Sequence, residues 1–199
     1  MAVYIAPGNG TEITSAPGAA PIESLGIAYV SQRPQANWCW AACTVMVASH
    51  LGVMDQDLAG PPTMCHLASI AHNIPNCCVD PSACDMGAWP EIAYSHLSIN
   101  VNPDIPSPPV NSERVLTLDE IRQQILTNRR PVEVMYKWST HGAHVVLITG
   151  VYGDGTLEVF DPWFGIESPV SYDYVRGGRG MGRWAGTYSD FQIAPAAGA

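Results

Sequence analysis

The feature that most restricts this chain is the junction at residues 32–52, Gln-Arg-Pro-Gln-Ala-Asn-Trp-Cys-Trp-Ala-Ala-Cys-Thr-Val-Met-Val-Ala-Ser-His-Leu-Gly. A polar, proline-containing loop turns into an apolar helix, and Cys39 stands where the two meet. Trp40, Cys43, Val47 and Leu51 follow the 3.6-residue period and predict one buried face. Gly52 fits the left-handed position that ends such a helix. Cys39 therefore falls in the first turn, where unpaired backbone N–H groups and the helix dipole favour negative charge; the thiolate is the nucleophilic form of cysteine. A tryptophan on each side narrows access to it. The competing expectation is a buried structural thiol, because free cysteines are among the most buried residues.

The second half of the chain weighs against that alternative. Residues 144–161 read as two strands joined by a Gly153-Asp154-Gly155 turn, with His144 opening the first strand and Asp161 closing the second. The two ends of an antiparallel hairpin lie side by side, so the carboxylate can hold the imidazole in one tautomer. A cysteine on a helix N-terminus with a distant His–Asp hairpin is the arrangement of a Cys–His–Asp nucleophilic site. Asp161 is followed by Pro162 and Trp163, and a Gly-Val-Tyr-Gly run precedes the turn.

These motifs resemble the papain-like cysteine proteases, in the compact bacterial branch that includes type III effector proteases and bacteriocin-leader peptidases. In the papain group the third member is usually Asn followed by Ser-Trp. Here Asp161-Pro162-Trp163 keeps the tryptophan at that offset and has a carboxylate in place of the amide, as the bacterial branch commonly does. The resemblance spans about residues 28–192, though its specific motifs occupy only about 40 positions. It implies hydrolysis of peptide bonds with Cys39 as nucleophile, His144 as base and Asp161 as its orienting partner. It also implies Gln32, seven residues before Cys39, as an oxyanion donor, in preference to Gln35 at four. His144 is preferred to His141 because it leads the apolar strand and keeps the family's offset to Asp161. Trp163 is expected to shield the His144–Asp161 bond, or to serve as plain core packing. No metal or organic cofactor is needed for this chemistry. The partner is a protein or peptide substrate, and the chain is expected to act as a monomer.

The remaining signals place these residues in one domain of α+β class. Helical segments come first: the nucleophile helix, a helix capped by Thr63, one opened by Trp89-Pro90-Glu91, and one opened by the capping box Thr117-Leu-Asp-Glu120 with Leu116 and Ile121 as its staple. Strands follow, expected at 132–138, 145–152, 157–161, 170–174 and 184–193. Ile27–Val30 reads as a short strand before the catalytic loop, and the proline-rich 100–109 as a crossing between halves. The layers meet at a cleft, with the cysteine on the helical side and the histidine on the sheet side. Residues 176–183, Arg-Gly-Gly-Arg-Gly-Met-Gly-Arg, read as a mobile hairpin beside it; they lack the lysine and strand-to-helix context of a phosphate loop. Residues 1–27 form a flexible N-terminal segment, 28–193 the domain and 194–199 a tail. His50, His66, His72 and His96 are assigned to surface or capping positions.

Four further cysteines, Cys65, Cys77, Cys78 and Cys84, form a dense cluster. Adjacent cysteines rarely bridge each other, which leaves Cys65–Cys77 with Cys78–Cys84, or Cys65–Cys78 with Cys77–Cys84. Either pairing implies an oxidising compartment. Zinc held by these thiols with His66 or His72 is the rival reading, weakened by the absence of paired Cys-x-x-Cys spacing, and reduced structural cysteines are a third. Similar clusters follow the first helix in the bacterial branch, which favours a structural role.

Charge and length exclude other classes. Nine Lys and Arg stand against eighteen Asp and Glu, a net charge of −9 with Lys137 the single lysine, so no basic face for nucleic acid is available. No run of 18 apolar residues exists to span a membrane. The N-terminal segment lacks the basic start and apolar run of a secretory signal, so localisation is open, with a secreted or delivered effector preferred. Two other functions share some of these features: an isopeptidase or acyltransferase with the same triad, and a catalytically silent binding module stapled by its cysteines.

Overall fold

The computed structural model describes residues 22–101, 114–138 and 142–195. The proline-rich crossing (from residue 102), His141, most of the N-terminal segment and the last four residues lie outside them.

The element order is helices then strands, with one short strand ahead of both. Strand β1 (Ile22–Ser24) precedes helices α1 (Cys39–Leu51), α2 (Met64–His72) and α3 (Pro90–His96), with a 3₁₀ turn at Pro81–Cys84 between the last two. A short strand β2 (Ile99–Asn100) leads to α4 (Leu118–Arg122), which continues as a wider π-helical turn over Gln123–Asn128. Strands β3 (Val132–Lys137), β4 (Ala143–Tyr152), β5 (Leu157–Asp161) and β6 (Gly165–Val170) follow, then α5 (Tyr172–Arg176), β7 (Arg183–Tyr188) and β8 (Gln192–Ile193). The main sheet runs β6-β5-β4-β3-β7, all neighbours antiparallel, and β1 pairs with the end of β4; β2 and β8 form a separate pair.

Local sequence accounts for most element ends. Thr63 accepts from the His66 N–H to cap α2. Thr117 and Glu120 exchange the two bonds of a capping box, with Leu116 and Ile121 buried as its staple. Gly52 ends α1 in the left-handed conformation at φ 69°. Helix α1 is more deeply enclosed than a one-face pattern implies. Nine of its residues, from Cys39 to Ala48, are buried, the small Ala41 and Ala42 among them. It packs on β4, where the Cys43 thiol lies 3.8 Å from the Val145 carbonyl.

Several expectations change. Residues 22–24, assigned by sequence to the flexible segment, are a strand of the sheet, and Leu25 and Ile27 are buried. Residues 27–30 carry no strand pairing. The strand expected at 170–174 ends at Val170, because the Ser171 hydroxyl accepts from the Tyr174 N–H and starts α5 there. The preceding strand β6 carries Pro169 and is largely exposed, an edge strand whose sequence lacks clean alternation. The strand expected over 184–193 is two strands, β7 and β8, in different sheets.

The cysteine cluster resolves to one of the two pairings, Cys65–Cys78 and Cys77–Cys84, leaving Cys39 and Cys43 as the free thiols. Zinc ligation by those four thiols is thereby set aside. His66 and His96 are not surface residues either. Both are partly buried, with side chains about one-fifth exposed, and both face the fully buried Asp55.

Candidate active site

Three segments distant in sequence converge on His144. Cys39 is the first residue of α1, and the N-cap residue Trp38 supplies no side-chain bond to the helix end. The first N–H groups of a helix have no intrahelical partner, so this end keeps its donors for a negative group. His144 is the second residue of β4, next to the Val145 carbonyl that Cys43 meets one helical turn below Cys39. Packing of Cys43 on β4 thus fixes which turn of α1 faces the imidazole. Asp161 ends β5, and His144 Nε2 donates to its Oδ1 at 2.9 Å. Cys39 is close enough to the imidazole to act on it electrostatically.

Electrostatics follow from this geometry. Burial alone works against a charged His144, but the Asp161 hydrogen bond, together with the hydrogen bond and charge of Cys39, raises its pKa to about 9. Burial pushes Asp161 upward, yet His144, the Phe164 N–H and Arg179 outweigh it and hold its carboxyl at about 2. His144 is therefore an imidazolium at neutral pH, paired with the Asp161 carboxylate. Cys43 differs sharply: burial, with Glu133, Cys39 and Asp161 nearby, pushes its thiol well above the ordinary range.

Asp161 is fully buried and saturated with donors. Its Oδ1 accepts from His144, from the Trp163 N–H at 2.8 Å and from the Phe164 N–H at 3.1 Å. Its Oδ2 accepts from Arg179 Nη1 at 2.9 Å. Arg179 is itself buried and also pairs with Glu167 on β6 through Nη2. Sequence reading missed this arginine, because it lies in the glycine-rich stretch taken for a mobile hairpin. That stretch is a tight turn after α5. Gly178 has φ 85°, and a Cβ there would fall 1.9 Å from the Gly182 carbonyl oxygen, so only glycine permits the turn that aims Arg179 inward. The available signal was chemical: a buried carboxylate beside an imidazole calls for a second cation, and the chain has few.

The loop before Cys39 is held from two sides. Tyr29 donates through its hydroxyl to the Asp161 carbonyl at 2.9 Å, and the Gln32 N–H donates to the Pro162 carbonyl at 3.0 Å, which ties the loop to the end of β5. From the helical side, the Asp85 carboxylate accepts the N–H groups of Ala36 at 2.9 Å and Asn37 at 2.8 Å. Asn37 Nδ2 returns a bond to the Asp85 carbonyl, and the indoles of Trp38 and Trp40 donate to the carbonyls of Cys84 and Met86. The two tryptophans are accordingly buried anchors rather than gates over the thiol. Asp85 directly follows Cys84, so the disulfide-stapled segment grips the backbone leading into Cys39.

Two assigned residues behave differently from expectation. Gln32 is buried, and its Nε2 donates to the carbonyls of Gln35 at 3.0 Å and Ala36 at 2.8 Å, so both amide hydrogens brace the loop. Trp163 is half-buried; its N–H serves Asp161, while its ring carries the Arg33 guanidinium 4.8 Å from the centroid.

Among the described residues no helix is long and apolar enough to cross a membrane. No curated protein matches the chain. The sequence model of one family does match, over residues 22–175, and its description is papain-like cysteine protease AvrRpt2. That span takes in the cysteine helix, both disulfides and the His–Asp hairpin, and stops just short of Arg179. Covering well over half of the chain, it shows that this protein belongs to the papain-like cysteine protease AvrRpt2 family and is a cysteine peptidase.

Proposed function

We propose that the protein is an endopeptidase acting through Cys39, His144 and Asp161, with a thioester intermediate. The observation that carries this reading is the His144 imidazole, bonded to Asp161 through Nε2 and raised in pKa by Cys39, which stands at the uncapped start of α1. The His144 Nδ1–H faces the sulfur, since Nε2 is engaged by Asp161. The Cys39 thiolate attacks a peptide carbonyl carbon and forms the C–S bond. The developing oxyanion is held by the Cys39 N–H, one of the free donors at the helix start. Gln32 supplies a second donor by turning one Nε2 hydrogen from the longer of its two bonds, that to Gln35.

The tetrahedral intermediate then collapses. His144 gives its proton to the amide nitrogen, the C–N bond breaks, and the amine leaves. Water, deprotonated by the now neutral His144, attacks the thioester, and the released sulfur takes up its place beside the re-formed imidazolium. Asp161 stays ionised throughout, with its pKa held at about 2, and serves to orient the ring and stabilise its charge. The substrate is a protein or peptide.

The test is cleavage of a peptide library by wild type and variants. Cys39→Ala abolishes turnover with the fold intact, since a small apolar side chain replaces a small thiol. Gln32→Ala lowers kcat by roughly 10²–10³ if it donates to the oxyanion; an unchanged kcat with lowered Tm would limit it to bracing the loop. Turnover surviving in Cys39→Ala would overturn the proposal as a whole. Added amine nucleophiles separate hydrolysis from acyl transfer, because a transferase yields amide products in place of acids.

A further inference from the structure

At the end of α1 away from Cys39, about 20 Å along the helix, four side chains converge that the peptidase chemistry does not use. Asp55 and Asp57 come from the loop that follows Gly52, His66 from the first turn of α2 and His96 from the last turn of α3. One donor atom of each lies within 4.8 Å of every other. His66 Nε2 stands 3.7 Å from Asp55 Oδ2 and 3.7 Å from Asp57 Oδ2; His96 Nε2 stands 3.4 Å from Asp55 Oδ1 and 4.0 Å from Asp57 Oδ2.

Those distances discriminate between two kinds of bonding. Imidazole–carboxylate hydrogen bonds close to about 2.7–3.0 Å, and a contact near 3.7 Å is not one. The edge of a tetrahedron with bonds of about 2.0–2.1 Å is about 3.3 Å. Apart from one long hydrogen bond, His96 Nε2 to Asp55 Oδ1 at 3.4 Å, the cluster is therefore too open to be held by protons and is near the spacing of ligands around one small cation. The polar atoms agree: Asp55 Oδ2 and His66 Nε2 are both buried without a hydrogen-bond partner, and Asp55 is fully buried. A buried carboxylate oxygen and a buried ring nitrogen aimed at one point are costly unless something there accepts both lone pairs.

We propose that Asp55, Asp57, His66 and His96 bind one divalent transition-metal ion, of which zinc is the fitting example. Two imidazole nitrogens favour zinc over calcium or magnesium, which take oxygen ligands. Two carboxylates balance the charge of a dication. Four protein ligands close a tetrahedral shell, which makes the site structural, with no open position for substrate. The Asp57 N–H donates to Asp55 Oδ1 at 3.0 Å, and Asp55 closes its loop by backbone pairing with Gly60, so the first ligand is oriented before metal arrives. The bound ion would join the loop after α1 to α2 and α3.

The experiment uses the full chain carrying Cys39→Ala, which removes a thiolate that could itself take up metal, with disulfides intact. After chelation and dialysis, zinc content, zinc titration and thermal unfolding are measured, and cobalt(II) is added as a spectroscopic probe. The expected result is one zinc per chain and a rise in Tm of about 5–10 °C at a hundredfold excess over Kd. Cobalt should give the visible bands of a tetrahedral nitrogen–oxygen site without a thiolate charge-transfer band. His66→Gln and His96→Gln should each weaken binding at least tenfold; should either prevent folding, the cobalt spectrum of the parent decides. No stoichiometric zinc at micromolar concentration, a thiolate band, stabilisation by calcium in place of zinc, or unchanged affinity in both folded histidine variants would each overturn the proposal.

Discussion

Replacing Asp161 by Asn is the gentlest change a buried aspartate can undergo, and here the structure predicts that it is not gentle. The Asn Oδ1 can still accept from His144 and from the N–H groups of Trp163 and Phe164. Its NH₂ then occupies the place of Oδ2 and points donors at Arg179 Nη1, 2.9 Å away in the native protein. A fully buried carboxylate is exchanged for a neutral group facing a guanidinium that is only 5 % exposed. Breaking one side of a buried pair costs about 3–5 kcal/mol, because the remaining charge is uncompensated. Glu167 still neutralises part of Arg179, which places the expected loss near the lower figure, about 3 kcal/mol. Arg179→Met should lose a similar amount, since Asp161 keeps only His144 as its counter-charge. The double variant removes both the orphaned guanidinium and the donor clash. Its loss should fall short of the sum of the singles by about 1–3 kcal/mol, the range for directly coupled residues. Urea unfolding of all four proteins at pH 6, where His144 is protonated, measures the cycle. Strict additivity would refute the reasoning, because it would mean that Asp161 and Arg179 do not share a bond.

Three further outcomes follow from the same network. Because the pKa of His144 is raised from 6.5 to about 9, the stability it contributes, about 3 kcal/mol, is fully present below about pH 6.5 and is lost as pH rises through about 9; kcat/KM should fall along the same alkaline limb, which a pH profile would show. Glu133 is buried on β3, accepts from the Tyr94 hydroxyl, and has its pKa pushed up to about 8 chiefly by burial. Stability is therefore lost between about pH 4.5 and 8 as the unfolded chain ionises first, by up to about 5 kcal/mol; Glu133→Gln should flatten that slope in urea unfolding at pH 5 and 8, and an unchanged slope would contradict the assignment. Asp85→Ala strips the acceptor from the Ala36 and Asn37 N–H groups, so it should cost about 1–3 kcal/mol and lower kcat by up to about 10²-fold through misplacement of Cys39, read by thermal unfolding and steady-state kinetics.

The elements that carry the candidate site were legible because each rests on a short-range rule. The helix start at Cys39, its Gly52 stop and the capping box at Thr117 are written in neighbouring residues. His144 and Asp161 meet because both stand at the open end of the β4–β5 hairpin, beyond its Leu147–Phe160 pair. What stayed hidden depends on distant partners. Nothing local in Gly-Gly-Arg-Gly says that Arg179 is buried; that is decided by a carboxylate 18 positions earlier in the chain. His66 and His96 stand 30 residues apart and meet only because α2 and α3 pack together beside the loop of Asp55. Tyr172 and Tyr174 have strand-favouring side chains, and a single Ser171 cap outweighed them. Gln32 was placed by spacing alone, which cannot reveal that two nearby carbonyls already claim its amide.

The grip of Asp85 on the loop before Cys39 makes two chemically separate sulfur systems thermodynamically reciprocal. If an intact Cys77–Cys84 bridge favours the loop geometry in which Cys39 reacts, then anything that fastens Cys39 must favour the intact bridge by the same factor. A substrate-like inhibitor that binds reversibly at Cys39 should make the bridge harder to reduce by dithiothreitol, and reduction should weaken its binding in equal measure. The cysteine cluster is then more than a staple. It acts as a thermodynamic gauge, in which the oxidation state of one sulfur pair can be read from the binding strength at a third sulfur that never joins it.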